Sequence, residues 1–185
     1  MSEGGWQLKK SVVLVGMMGA GKTAVGKALA NLLDVPFLDS DMEIETAANM
    51  TIAEIFKRDG EAFFRDRETQ VLARLLDGPS GIISAGGGAF LAERNRDLIA
   101  QKGASVWLKA DLELLWSRVK HKDTRPLLKT ADPKATLTML YEARLPFYSL
   151  ADLAVEARSE YSIDTMAAKV LEALGTRPDV LEPVA

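Results

Sequence analysis

Residues 16–23 read Gly16-Met17-Met18-Gly19-Ala20-Gly21-Lys22-Thr23, a complete match to the phosphate-binding pattern G-x-x-x-x-G-K-[ST]. Before them runs Ser11-Val12-Val13-Leu14-Val15, short, β-branched and apolar, as a buried parallel strand requires. After them Val25, Leu29, Leu32 and Leu33 recur at helical spacing, with Lys27 and Asn31 between. Strand, glycine loop, helix is the context in which this motif binds phosphate. Gly16, Gly19 and Gly21 allow backbone shapes that gather several N–H groups around one anion. The new helix adds its positive dipole end. Lys22 is placed to reach the outer phosphates of a nucleotide, and the Thr23 hydroxyl to ligate magnesium.

Working outward, strand-like runs recur at 12–15, 36–38, 81–84, 104–108 and 153–155, and helical patterns at 22–33, 51–57, 61–76, 93–101, 111–120, 134–149 and 162–174. This alternation predicts an α/β domain, a parallel sheet with helices on both faces. Ligands on such sheets bind beyond the carboxyl ends of the strands. Between the second and third strands, about forty residues leave the sheet and return as two or three helical segments, enough for a lobe over the site at about 40–77. The polar stretch at about 120–132, with Lys122, Arg125 and Lys129, is expected to be a mobile lid. The tail 175–185, with Pro178 and Pro183, is expected to fray.

At 185 residues, 48% hydrophobic and 26% charged, the chain reads as one ordinary globular domain. Its net charge of −3, without a basic tract, argues against nucleic acid as the main partner. The absence of cysteine excludes disulfides, thiol chemistry and cysteine metal sites. The first ten residues hold no apolar signal-peptide core, and no stretch reaches membrane-spanning length, so a cytoplasmic location is expected.

The second strand ends in Phe37-Leu38-Asp39-Ser40-Asp41. On extended backbone Asp39 and Asp41 face one side, where one carboxylate is suited to magnesium or its water shell and the other to an attacking hydroxyl. Helix capping is the competing role, since Asp and Ser favour helix starts, and one of the pair could serve both. Ser84-Ala85-Gly86-Gly87-Gly88-Ala89 follows the third strand; three glycines suit a backbone lying close against a ligand, and a flexible turn explains them nearly as well. This strand end lacks an acidic residue for magnesium, which makes Asp39 the better metal candidate. Arg65 lies between Glu61 and Glu68, either as a salt-bridged helix surface or as a fork held rigid to grip a carboxylate. Arg125 in the lid is placed to close over a transferring phosphate, and Arg144 sits in Ala143-Arg144-Leu145-Pro146-Phe147-Tyr148. From spacing alone each arginine reads more readily as a solvated surface residue than as a ligand. His121 reads as solvent-facing, Trp107 as core and Trp116 as helix packing.

Together, Gly16 to Thr23, Asp39-Ser40-Asp41, Phe63-Phe64-Arg65 with Glu68, Gly86-Gly87-Gly88, Arg125-Pro126-Leu127-Leu128, and Arg144 with Pro146 and Tyr148 resemble the shikimate kinase family in order and spacing. The resemblance covers nearly the whole chain. It implies a P-loop kinase of the nucleoside monophosphate kinase type: a five-stranded parallel sheet flanked by helices, with a substrate-binding lobe and a lid. It implies ATP-dependent phosphorylation of the 3-hydroxyl of shikimate, on the path to chorismate and the aromatic amino acids, by a monomer. By the same resemblance Gly19, Ala20, Gly21, Lys22, Thr23, Ala24, Arg118 and Arg125 bind ATP, while Thr23 and Asp39 hold Mg2+. Asp41 binds the attacking hydroxyl, and Arg65, positioned by Glu68, binds the shikimate carboxylate together with Arg144. Gly86, Gly87 and Gly88 offer backbone contacts to the ring hydroxyls, and Phe56 and Phe64 line the pocket. Lys22, Asp41 and Arg125 form the catalytic set.

One departure stands out: many members follow the loop lysine with two hydroxyl residues, whereas Ala24 follows Thr23 here. The adenine-contacting segment around 156–161 stays unassigned. The alternatives are another small-molecule kinase on the same scaffold, such as a gluconate kinase, and a nucleotide-switch binding module. The triple glycine, the paired aspartates and the Arg65/Arg144 pair speak against the first. The lack of a GTPase base-recognition motif speaks against the second.

Overall fold

The computed structural model describes residues 5–121 and 128–184. In chain order the elements are β1 (Trp6–Leu8), β2 (Ser11–Val15), α1 (Lys22–Leu33), β3 (Phe37–Asp39), α2 (Ser40–Ala48), α3 (Ile52–Asp59) and α4 (Glu61–Asp77). After β4 (Ile82–Ser84) come a 3-10 turn (Ala89–Leu91), α5 (Glu93–Lys102), β5 (Gly103–Lys109), α6 (Leu112–Val119), α7 (Pro133–Tyr148), β6 (Leu153–Glu156), α8 (Ile163–Leu174) and β7 (Leu181–Pro183). β2 is buried at every residue because it has neighbours on both edges and helices over both faces.

The main sheet is five-stranded, in the order β3-β4-β2-β5-β6, and every pairing in it is parallel. Register decides which strand ends meet. Asp39 pairs with Ser84, and Ser84 with Leu14, so the ends of β3, β4 and β2 lie side by side at one level. The loops that leave these three ends carry Asp41, the triple glycine and the phosphate-binding sequence. α1 packs on α8 and on β4, through Val25, Leu29 and Leu33, which are at most 7% exposed.

α2, α3 and α4 form the expected excursion between the second and third strands of the main sheet. Gly60, at φ 86°, closes α3 and opens α4 in one residue, a conformation that excludes an ordinary side chain. Asp41 is not on extended backbone, contrary to the strand reading. β3 ends at Asp39, and Asp41 lies in the first turn of α2. Asp39 caps that helix, its Oδ1 accepting from Met42 N–H at 3.1 Å. Capping and site placement therefore coincide in one residue.

The tail does not fray. β7 pairs antiparallel with β1, Leu8 opposite Leu181, and Val180 and Leu181 are 0% and 1% exposed. Ion pairs of Lys9 with Glu182, and of Lys10 and Arg177 with Asp179, border the ribbon. Its polar, proline-bearing sequence carries no periodicity, so the pairing that buries it is invisible locally. Leu181→Ala should destabilise the fold by about 2–5 kcal/mol, read by denaturant unfolding; a loss below about 1 kcal/mol would restore the frayed tail.

The lid expectation falls mostly on residues 122–127, and Arg125 with it, which lie outside the described residues. Among the described residues, no helix is long and apolar enough to cross a membrane.

Candidate active site

A cavity of about 1450 Å³ opens at the carboxyl ends of the sheet strands. That exceeds the ~300–1,000 Å³ of a site for one drug-sized ligand, and gives room for two substrates together. Met17 to Val25, Asp39, Asp41, Phe56, Phe64, Arg65, Glu68, Gly87, Gly88, Arg118 and Arg144 all line it.

Its first wall is the phosphate-binding loop. Gly19 and Gly21 adopt φ of 85° and 94°, and Gly21 forms the N-cap of α1 without a side-chain cap. The loop and the first-turn N–H groups of α1 thus surround a site suited to an anion. Lys22 Nζ donates to the Gly16 carbonyl. Arg118 on α6 donates to the Gly19 carbonyl at 3.0 Å, which fastens the loop to α6 and brings its guanidinium to the cavity wall. Thr23 and Ala24 also line the cavity.

The second wall combines Asp39, Asp41 and the lobe. Burial pushes the Asp41 carboxyl above its ordinary range and Asp39 adds to the rise, while Lys22 pulls it down. Lys22 and Asp41 are therefore electrostatic neighbours across the cavity. Arg65 on α4 donates through Nη1 to both oxygens of Glu68, at 3.0 and 3.2 Å, and its Nε lies 3.5 Å from Glu61. Glu68 is 1% exposed. Burial raises its pKa and Arg65 opposes the rise, so the pair holds a buried carboxylate against a partly exposed guanidinium. The Phe56 and Phe64 rings meet at 4.8 Å beside it, with Arg65 over the Phe64 ring at 5.2 Å.

The third wall is β4's loop and α7. Leu137, Arg144 and Tyr148 are the buried residues of α7, spaced seven and four apart and so on one face. Arg144 is 8% exposed, against the surface reading that its spacing favours. The Tyr148 hydroxyl donates to the Gly87 carbonyl at 2.6 Å. Burial pushes that hydroxyl above the ordinary tyrosine range, and Arg144 beside it pulls the other way. Of the triple glycine, Gly87 and Gly88 line the cavity and Gly86 does not. The Ser40 Oγ, between the two aspartates, accepts from Gly86 N–H at 3.1 Å.

Among the described residues the structure thus brings every expected site residue to the cavity wall except Gly86, which adjoins Asp41; Arg125 lies outside the described residues. Ser40, Tyr148, Tyr161 and Ile163 are additional: the first two through hydrogen bonds to the glycines, the last two by lining the cavity. In the sequence, Tyr148 stands out only as part of the Arg144, Pro146 and Tyr148 pattern of the resemblance, with no role attached. Trp107 is core and 6% exposed, Trp116 packs against the core, and His121 is exposed, as expected.

The family model described as shikimate kinase matches residues 18–175. A shikimate kinase from Ruegeria pomeroyi is 69% identical over 175 residues, covering 95% of this chain and 90% of that protein. One from Cereibacter sphaeroides is 66% identical, covering 95% of this chain and 88% of that protein. Among solved structures, a shikimate kinase from Acinetobacter baumannii in complex with shikimate superposes with a TM-score of 0.84 at 39% identity, covering 90% of this chain and 93% of the other.

Proposed function

The chain belongs to the shikimate kinase family, and from that premise we propose how its own residues carry out the phosphorylation of shikimate by ATP. The enzyme is a phosphotransferase with an alcohol acceptor; it moves the terminal phosphoryl group of ATP to the 3-hydroxyl of shikimate. The observation that carries the residue assignment is the single cavity shared by an anion-binding loop and by Asp41, Arg65 and Arg144.

The loop N–H groups and Lys22 bind the ATP phosphates, with Arg118 flanking the nucleotide. Asp41, in the first turn of α2, accepts the hydrogen bond of the attacking hydroxyl. The transition state of phosphoryl transfer is loose, so alignment of that hydroxyl matters more than a strong base. Lys22 offsets charge on the transferring group, and Arg125 is proposed to do so from the segment between α6 and α7. Arg65 and Arg144 grip the acceptor carboxylate from two sides, Phe56 and Phe64 cover its ring, and Gly87 and Gly88 offer backbone groups to its hydroxyls.

Magnesium fits the donors present. Thr23 and Asp39 are hard oxygen donors on the cavity wall, and few protein ligands suit an ion that keeps waters and phosphate oxygens. Held there, it would neutralise phosphate charge; among the described residues no cluster of three or more His, Asp or Glu offers a fuller cage. Ala24 withholds one hydroxyl from the phosphates and leaves Thr23 in place. A monomer suits this family's scaffold, and use of ATP supports the cytoplasm.

ADP release from magnesium–ATP, with shikimate, gluconate or nucleoside monophosphates as acceptors, tests the function. Strong stimulation by shikimate alone is expected; equal slow hydrolysis with every acceptor would remove the substrate assignment. Arg65→Ala should raise KM for shikimate about tenfold to a hundredfold, the loss of a charge-assisted contact, and KM for ATP far less. Equal rises would remove the carboxylate grip. Because this variant also strips Glu68 of its partner, its melting temperature should fall as well.

A further inference from the structure

A β-carbon on Gly86 would lie 2.5 Å from Asp41 Oδ1, one on Gly87 2.8 Å from Arg144 Nη1, and one on Gly88 2.7 Å from Arg65 Nη2. Real β-carbons essentially never approach heavy atoms within 3.0 Å. Three successive glycines therefore each adjoin a different one of the three charged groups that face the acceptor. Backbone shape is not the reason for glycine here: the positive-φ glycines of the described residues are Gly16, Gly19, Gly21 and Gly60. The segment is also pinned. Gly86 N–H donates to Ser40 Oγ, the Gly86 carbonyl accepts from Ala89 N–H at 3.0 Å, and the Gly87 carbonyl accepts from Tyr148. The Gly88 carbonyl accepts from Leu91 N–H at 3.2 Å.

We propose that Gly86, Gly87 and Gly88 form a steric template in which each absent β-carbon is the seat of one side chain, Asp41, Arg144 and Arg65 in turn. Ser40 and Tyr148 are positioning residues that keep the template from retreating. The inference rests on the reading that those three side chains hold shikimate. It gives the triple glycine a duty apart from backbone contact with the ring hydroxyls. It also predicts that a methyl group there moves the ends of flexible functional side chains and leaves the fold alone.

Alanine at each position separates the roles. Gly86→Ala shifts the hydroxyl-aligning carboxylate and should lower kcat about tenfold to a hundredfold. Gly87→Ala and Gly88→Ala should raise KM for shikimate about tenfold, with KM for ATP within twofold of wild type and thermal unfolding unchanged. Tyr148→Phe should show the same split, smaller, at about three- to tenfold. On an Arg65→Ala background Gly88→Ala should add nothing, since the seat is already empty. Full additivity on that background, parallel loss of ATP binding, or unfolding of the alanine variants would overturn the template. An unchanged KM for shikimate in Arg65→Ala alone would instead overturn the reading beneath it.

Discussion

Lys22→Met should lower turnover by roughly 10²–10³-fold, the loss seen when one preorganised donor to a transition state is removed, with the fold intact. Lys22 opens α1 and lines the cavity, so its change leaves the core around Val25 and Leu29 untouched. Methionine keeps an unbranched apolar stem and deletes the terminal ammonium group, with its charge and its hydrogen bonds. A second effect follows from the neighbour. Lys22 is one of the charges that hold the Asp41 pKa down, against burial and Asp39, which push it up. Its loss should therefore move the acidic limb of the kcat/KM profile to higher pH. Circular dichroism and thermal unfolding check the fold, and steady-state rates from pH 5 to 9 check the rest. Near-normal turnover would overturn the role given to Lys22.

Asp41→Asn is expected to cost at least about 10²-fold in kcat, since the amide cannot accept the hydroxyl proton and aligns it poorly. The same change should stabilise the fold at neutral pH. Burial first, then Asp39, raises the Asp41 pKa above the ordinary carboxylate range, so the fold disfavours its ionised form. Stability contributed by Asp41 is thus fully present below its unfolded pKa, and is lost as pH rises through the higher folded pKa. At neutral pH the carboxylate is a net burden that asparagine removes. Calorimetry should show the variant melting above wild type near pH 7, with the gap closing as pH falls toward the unfolded pKa. A variant that melts lower at pH 7 would refute the strained carboxylate. Strain held at a site in exchange for activity is common among enzymes.

The site arginines show how far spacing reaches. In α4 the buried positions Phe64, Glu68, Val71, Leu72 and Leu75 form one stripe, and a carboxylate inside an apolar stripe marks its partner Arg65 as more than a surface charge. Arg144 carries a similar mark, sharing the inner face of α7 with Leu137 and Tyr148. A charge on an apolar face is a legible anomaly. What it faces is not, because helix period says nothing about the element packed against it.

The terminal ribbon and Asp41 mark the other limit. Strands of three residues, such as Trp6–Leu8 and Leu181–Pro183, are too short to show period two. Asp41 lines the cavity with Asp39, as the sequence suggests, yet it does so from a helix and not from extended strand. The sequence pattern Asp-Ser-Asp suits both geometries, and only the Asp39 cap chooses between them.

Local chemistry alone determined the phosphate-binding loop, the strand and helix around it, the alternation that makes a parallel sheet, and the residue types of the site. These are properties of a few adjacent residues: glycine's freedom at positive φ, apolar period, and the pairing of opposite charges. Tertiary structure alone decided that β4 lies between β3 and β2. That order places Asp41, the triple glycine and Lys22 around one cavity, and sets each missing β-carbon against one charged side chain. Strand order and close approach arise from contacts between residues far apart in the chain, and no local pattern encodes which distant surface will fill the space that a glycine leaves.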